Sequence, residues 1–131
     1  MAESEKAEKI TVNIGLVDLG RIDLLVTEGF YANRTDFIRT AIRHQLDTNT
    51  EAISQSVARR TLVLGSETFS RTRLEHLRDA GEVVHIRVLG LATVDGDVSA
   101  ELALATIASV EVLGAFRASR EVKAALAPRI L

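Results

Sequence analysis

From Lys9 to Ile14 polar and apolar residues alternate, and this period of two predicts a half-buried strand. Ile10, Val12 and Ile14 fall on one face of it, and Lys9, Thr11 and Asn13 on the other. Gly15 ends the alternation, and the period becomes helical. Leu19, Ile22, Leu25 and Val26 form one stripe running to about Gly29, with Asp18 as N-cap or first-turn acid. Gly29-Phe30-Tyr31-Ala32 reads as a turn. Asn33-Arg34-Thr35-Asp36 then opens a second helix, with an N-cap Asn and an acid three residues later in the manner of a capping box. That helix presents Phe37, Ile38, Ala41, Ile42 and Leu46 on one face and Arg39, Thr40, Arg43 and His44 on the other.

Past Leu46 the pattern loosens. Thr48-Asn49-Thr50 suits a helix interior poorly, so residues 48–60 read as a linker, given some helical character by Ile53 and Val57 four apart. Residues 61–131 read as a small, mixed, β-rich unit with short helices. Strands are expected at Thr61–Leu64, Val83–Val94 and Ile107–Ala115, and helices at Ser70–Ala80, closed by Gly81, and at Ser119–Leu126, before Pro128. Asp95-Gly96-Asp97 reads as a hairpin turn rather than a metal site, and Val98–Ala108 fits neither period. Ile86-Arg87-Val88-Leu89-Gly90-Leu91 is echoed 24 residues later by Val110-Glu111-Val112-Leu113-Gly114-Ala115. With two copies only, the echo reads as two similar strands ending at glycine turns rather than a solenoid.

Composition narrows the chemistry. The 131 residues contain no Cys and no Trp, which removes disulfides, thiolate metal sites and a cysteine nucleophile. The charged N-terminus lacks the apolar run of a signal peptide, and no apolar stretch is long enough for a membrane span, so a soluble cytoplasmic protein is expected. His44, His76 and His85 are scattered, and no nucleophile-elbow or phosphate-loop spacing occurs; no enzyme activity, cofactor or metal is expected. The net charge is −2, with eight basic and nine acidic residues on each side of a cut after Arg60. Any nucleic-acid surface must therefore be made by the fold concentrating positive charge locally.

A single six-residue strand cannot satisfy its own backbone, and two short helices cannot bury Ile10, Val12 and Ile14. A dimer solves both problems. Two such strands pair antiparallel across a two-fold axis, and the helices of both chains close over the apolar face, Ile38 and Ile42 contributing to the same core. The opposite face then displays Lys9, Thr11 and Asn13 twice, on a two-stranded ribbon of the width that fits a DNA major groove.

The stretch KITVNI, the helix after it, the segment GFYANRTDFIRTAIRHQL and their spacing resemble the ribbon-helix-helix repressors of the MetJ/Arc/CopG type, over about 40 residues. The resemblance implies an α+β protein whose residues 1–47 form an intertwined DNA-binding dimer. It also implies base readout by Lys9, Thr11 and Asn13, and phosphate anchoring by Asn33, Arg34 and Thr35 at the start of the second helix. The sequence departs from the family pattern in having one basic reader of three, Glu3, Glu5 and Glu8 just upstream, and Gly20 inside the first helix.

The expected function is a site-specific transcriptional repressor acting on double-stranded DNA, with residues 61–131 joining dimers into tetramers or larger assemblies, or taking an effector. Two alternatives stand beside it. In a structural scaffold the module would serve only to pair chains; in an antitoxin the C-terminal segment would neutralise a toxin. Arg39 and Arg43 are expected to be solvated or paired with Asp36 and Asp47.

Overall fold

The computed structural model describes residues 7–131. The chain is α+β and divides into two compact units, Ala7–Ser56 and Val57–Leu131, the boundary falling inside one helix. The first unit contains α1 (Leu16–Thr27) and α2 (Arg34–Thr48), and α3 (Thr50–Arg60) carries the chain across the boundary. Asn49 closes α2, so the poor helix formers around it break one long helix into two, and the expected linker is α3.

Residues 7–15 form neither helix nor strand within the single chain, so the strand expected at Lys9–Ile14 is not formed here. The physical reason lies in the first unit itself, which holds no other strand to bond with it. Ile10 is 76% exposed and Val12 68%, while Ile14, Ile38 and Ile42 are also exposed. Among the described residues of this unit only Ile22 is buried.

The second unit is three strand–helix repeats. Strand β1 (Val63–Phe69) is followed by α4 (Arg71–Asp79), β2 (Val84–Val94) by α5 (Ala100–Thr106), and β3 (Ile107–Arg117) by α6 (Arg120–Leu126) and a short 3-10 turn. The strands form one parallel sheet in the order β1-β2-β3. Each helix starts at a serine: the hydroxyls of Ser70, Ser99 and Ser119 accept from the backbone N–H groups of Arg73, Leu102 and Val122 at 3.1, 3.1 and 3.2 Å. Ile86, Val88, Ala92, Val94 and Val110 on one sheet face pack against Leu74, Leu102, Ala103, Val122 and Leu126 from the helices.

Two readings of this half are corrected. Asp95-Gly96-Asp97 is not a hairpin turn, because β2 and β3 run parallel; it opens the crossover into α5, with the Val98 N–H donating to the Asp95 carbonyl at 3.1 Å. The echo is a true repeat with three copies rather than two. Val63-Leu64-Gly65, Val88-Leu89-Gly90 and Val112-Leu113-Gly114 lie side by side in register. The mixed unit with short helices alternates strand and helix, and 98–108 resolves into α5 and the start of β3.

The glycine is fixed by close approach. Gly65, Gly90 and Gly114 have φ of 127°, 138° and 117°. A Cβ on Gly90 would sit 2.1 Å from the Gly65 carbonyl oxygen, and one on Gly114 at 2.1 Å from that of Gly90. β2 and β3 each nest against the backbone of the strand before, which only glycine permits.

Candidate nucleic-acid interface

The turn between α1 and α2 is held from both sides. Gly29, at φ 86°, closes α1 in a Schellman motif: Phe30 N–H donates to the Leu25 carbonyl at 3.0 Å, and Gly29 N–H to that of Val26 at 3.1 Å. The Tyr31 and Phe37 rings meet edge to face, 5.0 Å apart between centroids. At the start of α2 the Asn33 side chain accepts from Asp36 N–H at 2.8 Å, and the Asp36 carboxylate accepts from Ala32 N–H at 2.9 Å. The reciprocal cap read from Asn33 and Asp36 therefore exists, reaching one residue further back than a capping box.

Arg34 is engaged within the module. Its Nε donates to Asp23 Oδ1 at 2.7 Å and its Nη2 to Oδ2 at 2.8 Å, a bidentate clamp between α2 and α1. The hydrogen bond from Arg34 holds the Asp23 carboxyl below its ordinary range, and the same bond raises the guanidinium. Both groups are solvent-exposed, so the clamp acts on orientation more than on stability. A guanidinium has five N–H donors, and two are used here. The remaining ones, on Nη1 and Nη2, stay available beside the first turn of α2.

Asn33, Thr35, Asp36, Arg39 and Arg43 line a shallow hollow at that same turn. Arg39 and Arg43, one helical turn apart, are exposed and make no ion pair among the described residues; of the two alternatives expected for them, solvated or paired with Asp36 and Asp47, the structure has the first. Spacing along α2 could have placed both beside Thr35, whereas the partner of Arg34 lies eleven residues back and depends on how the two helices cross. The structure thus lines one hollow with Asn33, Thr35, Arg39 and Arg43, running from the start of α2 to its middle, with Arg34 clamped to α1. Lys9, Thr11 and Asn13 stay exposed on the unpaired N-terminal segment.

Among the described residues no helix is long and apolar enough to cross a membrane. No curated protein and no solved structure matches the chain. A family model described as the ribbon-helix-helix transcriptional regulator family matches residues 5–123, which takes in both the N-terminal module and most of the strand–helix repeats. The chain belongs to the ribbon-helix-helix transcriptional regulator family.

Proposed function

We propose that the chain is a site-specific repressor that reads the major groove of double-stranded DNA with a two-stranded ribbon made from Lys9–Ile14 of two copies. One observation carries this reading. In a chain of a DNA-binding, typically dimeric family, the alternating segment has its whole apolar face in solvent, with Ile38, Ile42 and Leu46 of α2 exposed as well. Apolar residues at these spacings contribute to stability only against a second copy. Pairing two segments turns Ile10, Val12 and Ile14 inward and leaves Lys9, Thr11 and Asn13 outward, as donors and acceptors for base edges.

Phosphate is held in this reading by Asn33, Arg34 and Thr35 at the start of α2, where free N–H groups and the helix dipole favour an anion. Asp23 holds two of the five Arg34 donors and leaves three for an anion, and the unpaired Arg39 and Arg43 extend the positive surface. Local placement of this kind answers the net charge of −2. The Val57–Leu131 unit joins dimers into tetramers or larger assemblies. Its packed core of strand–helix repeats argues against the antitoxin alternative, whose C-terminal segments are commonly disordered before binding.

The test begins with duplexes recovered from genomic DNA bound by the full chain. Thr11→Ala with Asn13→Ala should erode preference for the recovered site by about 1–3 kcal/mol per lost base contact, leaving binding to scrambled duplex unchanged. Arg34→Ala should weaken both duplexes alike and flatten the slope of log affinity against log salt by about two units per dimer. Asp23→Ala separates the two duties of Arg34. If Arg34 holds phosphate, freeing it keeps or strengthens binding; if Arg34 serves only as a clamp, Asp23→Ala weakens binding as much as Arg34→Ala does, and its phosphate role is wrong.

A further inference from the structure

The strand–helix repeats leave one side unfinished. Across the three in-register Val-Leu-Gly copies, burial is graded. Val88 and Leu89 in the middle strand are buried and half-buried, and Val112 in β3 is half-buried with Leu113 43% exposed. In β1, Val63 is 50% exposed and Leu64 70%. Val63 shares the helix-covered face of the sheet with Val88, and Leu64 shares the open face with Leu89. Both faces of β1 are thus underpacked at one place. A missing cover over the open face would explain Leu64 alone; the neighbour that β1 lacks stands beside it, in the sheet.

The glycine stack points the same way. Gly90 and Gly114 each receive the carbonyl of the neighbouring strand where a side chain would be, while Gly65, with the same backbone geometry, has no atom within 4 Å of that position. At the other edge of the sheet, β3 already has company: Ile130 bridges to Val110 in parallel, and Leu131 N–H donates to the Val110 carbonyl at 2.8 Å. Among the described residues the open edge is the one at β1, and an apolar edge strand without a neighbour is a template for another strand.

We infer that β1 pairs antiparallel with β1 of a second copy of this chain, joining two three-stranded sheets into one of six. The occupant is a second copy because the family dimerises: each dimer presents this edge twice, and the same edge of another dimer is its self-complementary partner. Isologous contact about a two-fold axis requires the two strands to run antiparallel. The pairing rests on the assembly role proposed for this unit and gives it a surface, on which Val63 and Leu64 are covered together.

The chain has no cysteine, so a single introduced one reports contacts cleanly. Leu64, Ser66 and Thr68 are exposed and alternate on the open face of β1. In the full-length protein each is replaced in turn by Cys, oxidised, and the inter-chain disulfide read on a denaturing gel. About a two-fold axis, a residue meets its own copy only near the axis, and each two-residue step moves the pair apart by about 13 Å. The yield should therefore peak at one position or two adjacent ones and be lost at the next. Leu113→Cys, on the far strand, should give none. Adding Val63→Lys should abolish the peak while circular dichroism still reports folded strand–helix repeats, since that side chain is half in solvent. No disulfide at any of the three positions, or equal yields there and at Leu113→Cys, overturns the pairing. Binding to the recovered duplex is measured on the same samples: lost cross-links with DNA binding intact sink the edge pairing alone, whereas a clear peak without DNA binding sinks the repressor reading alone.

Discussion

Val12→Glu should unfold the N-terminal module and leave the strand–helix repeats folded. In a single chain the substitution is harmless, because Val12 is 68% exposed and a carboxylate there would be hydrated. In a paired ribbon the same side chain lies at the dimer core. Each copy then loses about 1.5–3 kcal/mol of apolar burial and adds an unpaired charge in a dry environment, and the two-fold axis doubles both costs. The total approaches the whole stability of a small domain, about 5–15 kcal/mol. Sedimentation of the full chain should show the dimer lost, and circular dichroism should show helix lost from α1 and α2. Thr11→Glu, on the opposite face, should keep the dimer and lose DNA. A Val12→Glu protein that stays dimeric and fully helical would mean the chains pair by some other surface.

The second large effect is expected in the repeats. Gly90→Ala combines a backbone conformation at φ 138° that L side chains rarely adopt with a Cβ placed 2.1 Å from the Gly65 carbonyl oxygen. The conformation alone costs about 1–3 kcal/mol. The clash is with backbone and can be relieved only by parting β1 from β2, so the loss should exceed about 4 kcal/mol, the exceptional range for one substitution. Gly114→Ala should match it. Gly65→Ala meets no atom and should show only the conformational cost, and Gly96→Ala, with open space and no left-handed backbone, should stay within about 0.5 kcal/mol of the parent. Urea unfolding of the four variants gives the ranking. Equal losses at Gly65 and Gly90 would show that strand-to-strand nesting is not what requires glycine.

Much of this architecture is legible in the sequence because it is local. The stripes of α1 and α2, the Asn33–Asp36 cap, Ser70 and Ser119 at helix starts and Gly81 at a helix end each depend on residues within one turn of one another. The topology of the second half is hidden by Asp95-Gly96-Asp97, a sequence that suits a hairpin and here opens a crossover. Helix α5, seven residues dominated by Ala and Leu, is too short to declare a period. The third repeat is masked because Val63 precedes its partner Val88 by 25 residues, while Val88 precedes Val112 by 24. After Gly65 the chain turns polar with Ser66-Glu67, where the other copies continue with Leu91 and Ala115. The Asp23–Arg34 clamp is invisible for a different reason: it is set by the crossing of two helices, which no linear spacing encodes.

Whether the ribbon reads DNA is decided by the affinity of the full-length protein for its recovered duplex, titrated against salt beside a scrambled duplex of the same length and composition. Log affinity should fall linearly with log salt on both duplexes, because phosphate contacts at the start of α2 release counterions from either. The recovered duplex should bind tighter by a factor of about 10³ or more across the range, because the ribbon reads its bases. Equal affinity for the two duplexes, or no salt-dependent binding to either, would contradict the repressor reading and leave the module as a device for pairing chains.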